Sequence, residues 1–304
     1  MNALVCFKAL SDSTRIRIYN VLLSWELSVN ELVGLMDMGQ SRISRHLKIL
    51  TDAGLLNCRR NGVWAFYSAV RDGWAQAFSD AVSSLFRDEA MLREDLRRAA
   101  LVVDERSART RQFFNAIAPR WDILKSDIMG SFDINTAILA NVQAVDLAVD
   151  LGCGTGELLV ALSARARQLI GVDSSAMMLE EARKRFSDQG IDADLRLGEL
   201  EHLPLKDDEV DLAVISLALH HLSDPVRALS EARRILREGG RLIVAEFERH
   251  DNEMLRHTYG DRWLGFPRED MERWISDSGF SVDHPESHTL SRSLIINIFT
   301  CTTT

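Results

Sequence analysis

The chain has 304 residues, 46% of them hydrophobic and 27% charged, and a formal net charge of -9. That length supports two domains with cores of their own, and no uninterrupted apolar run reaches the roughly 18 residues of a membrane-spanning helix, so a membrane partner is not expected. The charge is uneven: residues 1–70 hold eight basic and five acidic side chains and the remainder 28 and 40, a basic head on an acidic body. Four separated cysteines, Cys6, Cys58, Cys153 and Cys301, form no CxxC pair, and the opening "MNALVCFKAL" has no basic signal region. The expectation is a cytoplasmic protein without disulfides.

In chain order, Leu4, Phe7, Ile16, Ile18, Leu22 and Leu23 recur at helical spacing around the capping side chains of "SDSTR". "VNELVGLM" predicts a short helix, "DMGQ" a glycine-containing turn, and "SRISRHLKIL" a second helix with Ile43, Leu47 and Leu50 inward. Ser41, Arg42, Ser44, Arg45 and Lys48 are left outward. Helix, tight turn and helix with a basic outer face is the arrangement that seats its second helix in a major groove. "LLNCRRNGVWAFYS" then reads as two alternating runs joined by Asn61-Gly62, a type I' hairpin signal, with Arg59 and Arg60 beside the turn as a wing.

With "FKALSDSTRIRIYNVLL" and "SRISRHLKILTDAGLL", this head resembles the ArsR-type winged-helix repressors over most of residues 1–70. The resemblance implies double-stranded DNA with a palindromic operator as partner, a homodimer, and contacts from Gln40, Ser41, Arg42, Ser44, Arg45, His46, Arg59 and Arg60. Metal-sensing members of that family carry cysteines where "ELSVNEL" has Ser28 and Asn30. A hydroxyl and a carboxamide do not replace thiolates toward soft metals, so no metal is expected and the signal enters elsewhere.

From Trp74 to Val103, Phe78, Val82, Leu85, Leu92, Leu96, Ala99 and Val103 follow a heptad-like seam interrupted at Glu89. The seam either packs within the monomer or, as the ArsR resemblance implies, dimerises. Beyond residue 144, "AVDLAVDLG", "RQLIGVD", "DLRLGEL", "DLAVIS" and "RLIVAEF" alternate with amphipathic helices, which predicts a doubly wound, mostly parallel sheet with ligands at the carboxyl ends of its strands. The first strand runs into "VDLGCGTG", where Gly152, Gly154 and Gly156 permit close backbone approach to a ligand. Glu157 stands where a dinucleotide fingerprint has its third glycine, which argues against NAD or FAD. Asp173 ends the second strand, placed to accept hydrogen bonds from two ribose hydroxyls.

These residues look like class I S-adenosylmethionine-dependent methyltransferases from "FFNAIAPRWD" at residue 113 onward. The expected fold is thus a winged helix-turn-helix at 1–72, a helical connector at 73–112, and a Rossmann-like methyltransferase domain with a seven-stranded sheet at 113–304. The resemblance implies S-adenosylmethionine or S-adenosylhomocysteine held by Asp150, Gly152, Gly154, Gly156, Asp173, Ser174, Met178, Glu199, Leu200 and Ser216. In "SLALHHLSDP", His220 is either a general base or a structural residue, and Trp121 with Asp122 either covers the cofactor or packs on the core. Two functions follow: a DNA-binding regulator whose methyltransferase-like domain senses the adenosyl ligand, or an active small-molecule methyltransferase with an autoregulatory head.

Overall fold

A computed structural model describes residues 3–61, 64–71, 73–86, 89–290 and 294–304. The chain divides into two compact units, Met1–Ser107 and Ala108–Thr304. The stretch read as a connector is therefore not a third body. Its larger part belongs to the first unit.

The first unit runs α1 (Ala3–Ala9), α2 (Ser13–Leu22), β1 (Leu27–Ser28), α3 (Val29–Met36), α4 (Gln40–Asp52), β2 (Leu56–Asn61), β3 (Trp64–Ala69), α5 (Gly73–Phe86) and the first part of α6 (Ala90–Ile117). Its three strands pair antiparallel in the order β1-β3-β2. Asp12 caps α2 by accepting from the Arg15 amide. Ser28 and Glu31 form a reciprocal capping box at α3, the reason a helix starts there. The turn before α4 takes its left-handed residue at Asp37 rather than at Gly39, which serves as the N-cap of α4. In the hairpin Asn61 lies opposite Trp64, so Asn61 ends a strand, and Gly62 of the expected turn lies outside the described residues.

The heptad-like seam faces its own head. Val82, Leu92 and Ala99 are buried in the core formed by Ile18, Leu22, Leu32, Ile43, Leu47 and Leu50, and Phe78, Leu96 and Val103 pack against it. The side chain of Leu85 lies outside the described residues. Polar ties reinforce the docking: Arg17 makes a two-pronged bridge of 2.6 and 2.8 Å to buried Asp95, and the Tyr19 hydroxyl meets Ser79 Oγ at 2.7 Å.

The second unit contains the end of α6, a 3-10 turn (Ala118–Arg120), α7 (Trp121–Met129) and α8 (Ile134–Leu139) before its sheet. There follow β4 (Val145–Leu151), α9 (Glu157–Leu162), β5 (Ala166–Asp173), α10 (Ala176–Gln189), β6 (Asp194–Leu197), β7 (Val210–Ser216), α11 (Pro225–Ile235), β8 (Leu236–Phe247), α12 (Glu253–Tyr259), α13 (Arg268–Asp277), β9 (Phe280–Thr289) and β10 (Ile295–Thr303). The seven strands lie in the order β6-β5-β4-β7-β8-β10-β9. The first five are parallel, and β10 pairs antiparallel with both β8 and β9. Apolar cores fill both faces of the sheet. The strand order reverses between β4 and β7, and at that switch point a crevice opens outside the carboxyl ends of the strands. Among the described residues no helix is long and apolar enough to cross a membrane.

Candidate functional site

In the second unit a cavity occupies the switch point. Its floor is the loop after β4, with Gly152, Cys153, Gly154 and Thr155. Asp173 and Ser174 come from the end of β5, Leu200 from beyond β6, and Ser216, Leu217 and Ala218 from the end of β7. Thr110, Phe114, Trp121 and Lys125 form a wall from the helical segment that precedes the sheet.

Gly152 has φ +82, and a Cβ on it would stand 2.7 Å from Ala218 Cβ, so only glycine lets the two loops meet. Ala218 is brought there by Leu217, whose φ of 53 is unusual for a bulky residue. Asp173 ties the floor together: its Oδ2 accepts from the Gly154 amide at 2.9 Å and its Oδ1 from the Ser175 amide at 2.8 Å. Each oxygen keeps further lone-pair capacity for a ligand. Burial pushes the Asp173 carboxyl up to about 6 against the opposing pull of those amides. Asp150, also on the wall, is 2% exposed, and its Oδ1 has no hydrogen-bond partner. Burial raises its carboxyl to about 7, the Lys125 charge only partly opposing. A buried carboxylate oxygen facing a cavity without a partner suits a cationic ligand group.

The segment "FFNAIAPRWD" is bound down onto this floor. Asn115 Oδ1 accepts from Ser175 Oγ at 2.7 Å and from the Met177 amide at 3.3 Å, while Asp122 Oδ1 accepts from Thr155 Oγ1 at 2.7 Å. Phe114 meets Trp121 edge-on at 5.5 Å and His221 at 4.7 Å. Of the expected ligand residues, Asp150, Gly152, Gly154, Asp173, Ser174, Met178, Leu200 and Ser216 all lie on the cavity wall. Three expected site residues do not. Gly156 faces α10, where a Cβ would strike the Phe186 ring at 2.7 Å, so it serves close helix packing. Glu199 is paired with Arg111. His220 is buried off the wall with Nδ1 2.6 Å from Glu246 Oε1, and its neighbour His221 is the histidine that reaches the cavity. Thr110 and Leu217 escaped the sequence reading: one precedes the resemblance at residue 113, and no residue type signals the backbone bend at the other.

In the first unit α4 buries Ile43, Leu47 and Leu50 and exposes Gln40, Ser41, Arg42, Ser44, Arg45 and Lys48. No side chain caps its N-terminus. His46 is half-buried, 3.9 Å from Asp12, and burial holds its imidazole below its ordinary value, so it belongs to the packing of α4 rather than to the outer face. Arg59 is likewise turned inward: it grips Glu26 at 2.8 Å and lies over the Phe66 ring at 4.8 Å. Arg60 is exposed.

Residues 12–57 match the family model for the bacterial regulatory protein, arsR family, and residues 149–244 that for a methyltransferase domain. A Streptomyces fradiae protein, named as an uncharacterized 37.1 kDa protein in transposon TN4556, is 43% identical over 102 residues, 33% of this chain and 29% of that protein. The ubiquinone/menaquinone biosynthesis C-methyltransferase UbiE of a Marinomonas species is 30% identical over 165 residues, 51% of this chain and 66% of that enzyme. This chain thus spans less than two thirds of the length of either relative. Among solved structures, the [4+2]-cyclase SpnF matches with a TM-score of 0.55 at 17% identity, over 64% of this chain and 94% of that one. The likeness is one of fold, and a cyclase built on it separates the architecture from any single reaction.

Proposed function

Because residues 12–57 are an arsR-family helix-turn-helix and residues 149–244 a methyltransferase domain, we propose that the protein is a DNA-binding regulator whose methyltransferase-type cavity takes S-adenosylmethionine or S-adenosylhomocysteine as its controlling ligand. One observation carries this reading. The first unit exposes the basic face of α4, and within the second unit Asp150, with its unpartnered Oδ1, and Asp173 face one cavity, so one chain carries both a recognition helix and a ligand site. A ligand shifts DNA binding only through a difference in its affinity for two protein states.

The donor set fits the ligand. Asp173 would take the ribose hydroxyls, Asp150 the ammonium, Gly152 and Gly154 the methionine portion, Leu200 and Met178 the adenine, and Ser216 would line the sulfur end. When bound, S-adenosylmethionine supplies an activated methyl on a sulfonium, whereas S-adenosylhomocysteine lacks both methyl and charge. On the DNA side, Arg42, Arg45 and the uncapped N-terminus of α4 meet phosphates and base edges. Phe7 and Trp74, 60% and 39% exposed, both stack on Phe78 and present an apolar face to a second copy, which sets two recognition helices on a palindromic operator.

The test is DNA affinity for the protein's own upstream region at fixed salt, without ligand and with each adenosyl compound. A change of tenfold or more, about 1.4 kcal/mol of coupling, supports the regulator. Tight ligand binding with no change in DNA affinity overturns it in favour of the second reading, an active methyltransferase of a small molecule. That reading has its own support: the cavity is walled by Trp121 and His221, and methyl transfer proceeds largely by positioning.

A further inference from the structure

We propose that His220, His221 and Asp261 form a binding site for one divalent transition-metal ion at the edge of the cavity. Among the described residues, these three form the one group of histidine, cysteine or carboxylate side chains close enough to share an ion, their donor atoms all lying within 4.8 Å of one another. All are buried, at 3, 8 and 4% exposure. The inference does not depend on the adenosyl reading.

Hydrogen bonding fixes the tautomers. His220 Nδ1 stands 2.6 Å from Glu246 Oε1, and His221 Nδ1 stands 3.3 Å from the Gly260 carbonyl oxygen. A carboxylate and a carbonyl only accept, so each ring carries a proton on Nδ1, and in the neutral imidazole Nε2 keeps the lone pair. A second ring nitrogen donating to a carboxylate or carbonyl is the usual support of a metal-bound histidine. The loop bearing Asp261 is pinned to the same turn, with the Arg262 and Trp263 amides donating to the His220 carbonyl at 3.1 and 2.9 Å.

Asp261 Oδ1 lies 3.6 Å from His220 Nε2, near the roughly 3.4 Å separation that two tetrahedral bonds of about 2.1 Å impose. Two imidazoles and one carboxylate select zinc, cobalt(II) or iron(II) over magnesium or calcium, which prefer oxygen alone. Because His221 also lines the cavity, the site adjoins it. The competing arrangement is a protonated His220 held between Glu246 and Asp261, with no ion.

The full chain, stripped with chelator, is titrated with Zn2+ by calorimetry and with Co2+ by visible absorption. The expected result is one ion per chain, with a cobalt spectrum of nitrogen and oxygen ligation. Asp261→Asn weakens binding at least tenfold, and Glu246→Gln, which touches no ion, weakens it by about 10- to 100-fold. Circular dichroism of each variant establishes that it is folded. If folded wild-type protein takes up no stoichiometric ion, the protonated-histidine network is the correct account. If both variants bind as wild type does, the ion sits elsewhere and the site is wrong.

Discussion

Asp150 and Asp173 are two carboxyls buried at one ligand cavity, both with raised pKa values, about 7 and about 6. A carboxyl whose folded pKa lies above its unfolded value loses stability as pH rises through the interval between them. The ligand-free second unit is therefore expected to become less stable between about pH 4 and 7, and saturating S-adenosylmethionine to recover the loss, as seen in thermal melts. Ligand affinity should move the opposite way. On the proposed reading the ligand's ammonium opposite Asp150 needs the ionised form, so binding tightens as pH rises toward about 7 and levels off above it, by up to about tenfold per unit below that. Calorimetry across pH should show this slope flattened in Asp150→Asn. At Gly152 any side chain meets both a positive φ and Ala218, so Gly152→Ala should lower stability by about 1–3 kcal/mol in urea unfolding. The glycine run and Asp173 were readable because only certain residue types perform those tasks. Leu217 was not, since its conformation is imposed by the strand and loop around it rather than by its own chemistry.

Among the elements, α3 and α4 illustrate what the sequence pattern conveys and what it leaves out. The inward triad Ile43, Leu47 and Leu50 was readable from helical spacing, and all three are fully buried. The pattern Ser28-x-x-Glu31 carries a capping signal as well as a missing thiol, and the folded chain uses Ser28 as the cap. Burial raises Glu31, yet the Arg106 charge and the Ser28 hydrogen bonds outweigh it and hold the carboxyl below its usual range. With a depressed pKa, its stabilising contribution is complete at neutral pH and disappears as pH falls through the folded value. Denaturant unfolding should show Glu31→Gln less stable than wild type by about 1–3 kcal/mol at pH 7, with the gap closing toward pH 3. Partners also separate the arginines, which spacing alone could not. Arg45→Ala on exposed α4 is expected to weaken DNA binding and reduce its salt slope by about one. Arg59→Ala, which removes the grip on Glu26, should lower thermal stability instead.

For the whole molecule, the division at Ser107 and Ala108 gives each unit its own core, and the two functions should be separable. Asp173→Ala is expected to abolish ligand control of DNA binding while leaving ligand-free DNA affinity near normal. Arg45→Ala should leave adenosyl-ligand affinity unchanged. Fluorescence anisotropy on DNA and calorimetry on ligand check both, and equal loss of both functions in both variants would sink the modular account. The cysteines supply a way to follow the two units at once. Cys58 is exposed on the wing strand β2, whereas Cys153 is buried in the cavity floor with its thiol raised well above the ordinary value. Reaction with an alkylating reagent is governed by thiolate fraction and access. DNA should therefore slow labelling at Cys58, whereas Cys153 should stay unlabelled unless the second unit opens, so that a single mass-spectrometric time course reports DNA occupancy of one unit and the integrity of the other in the same unmodified molecule.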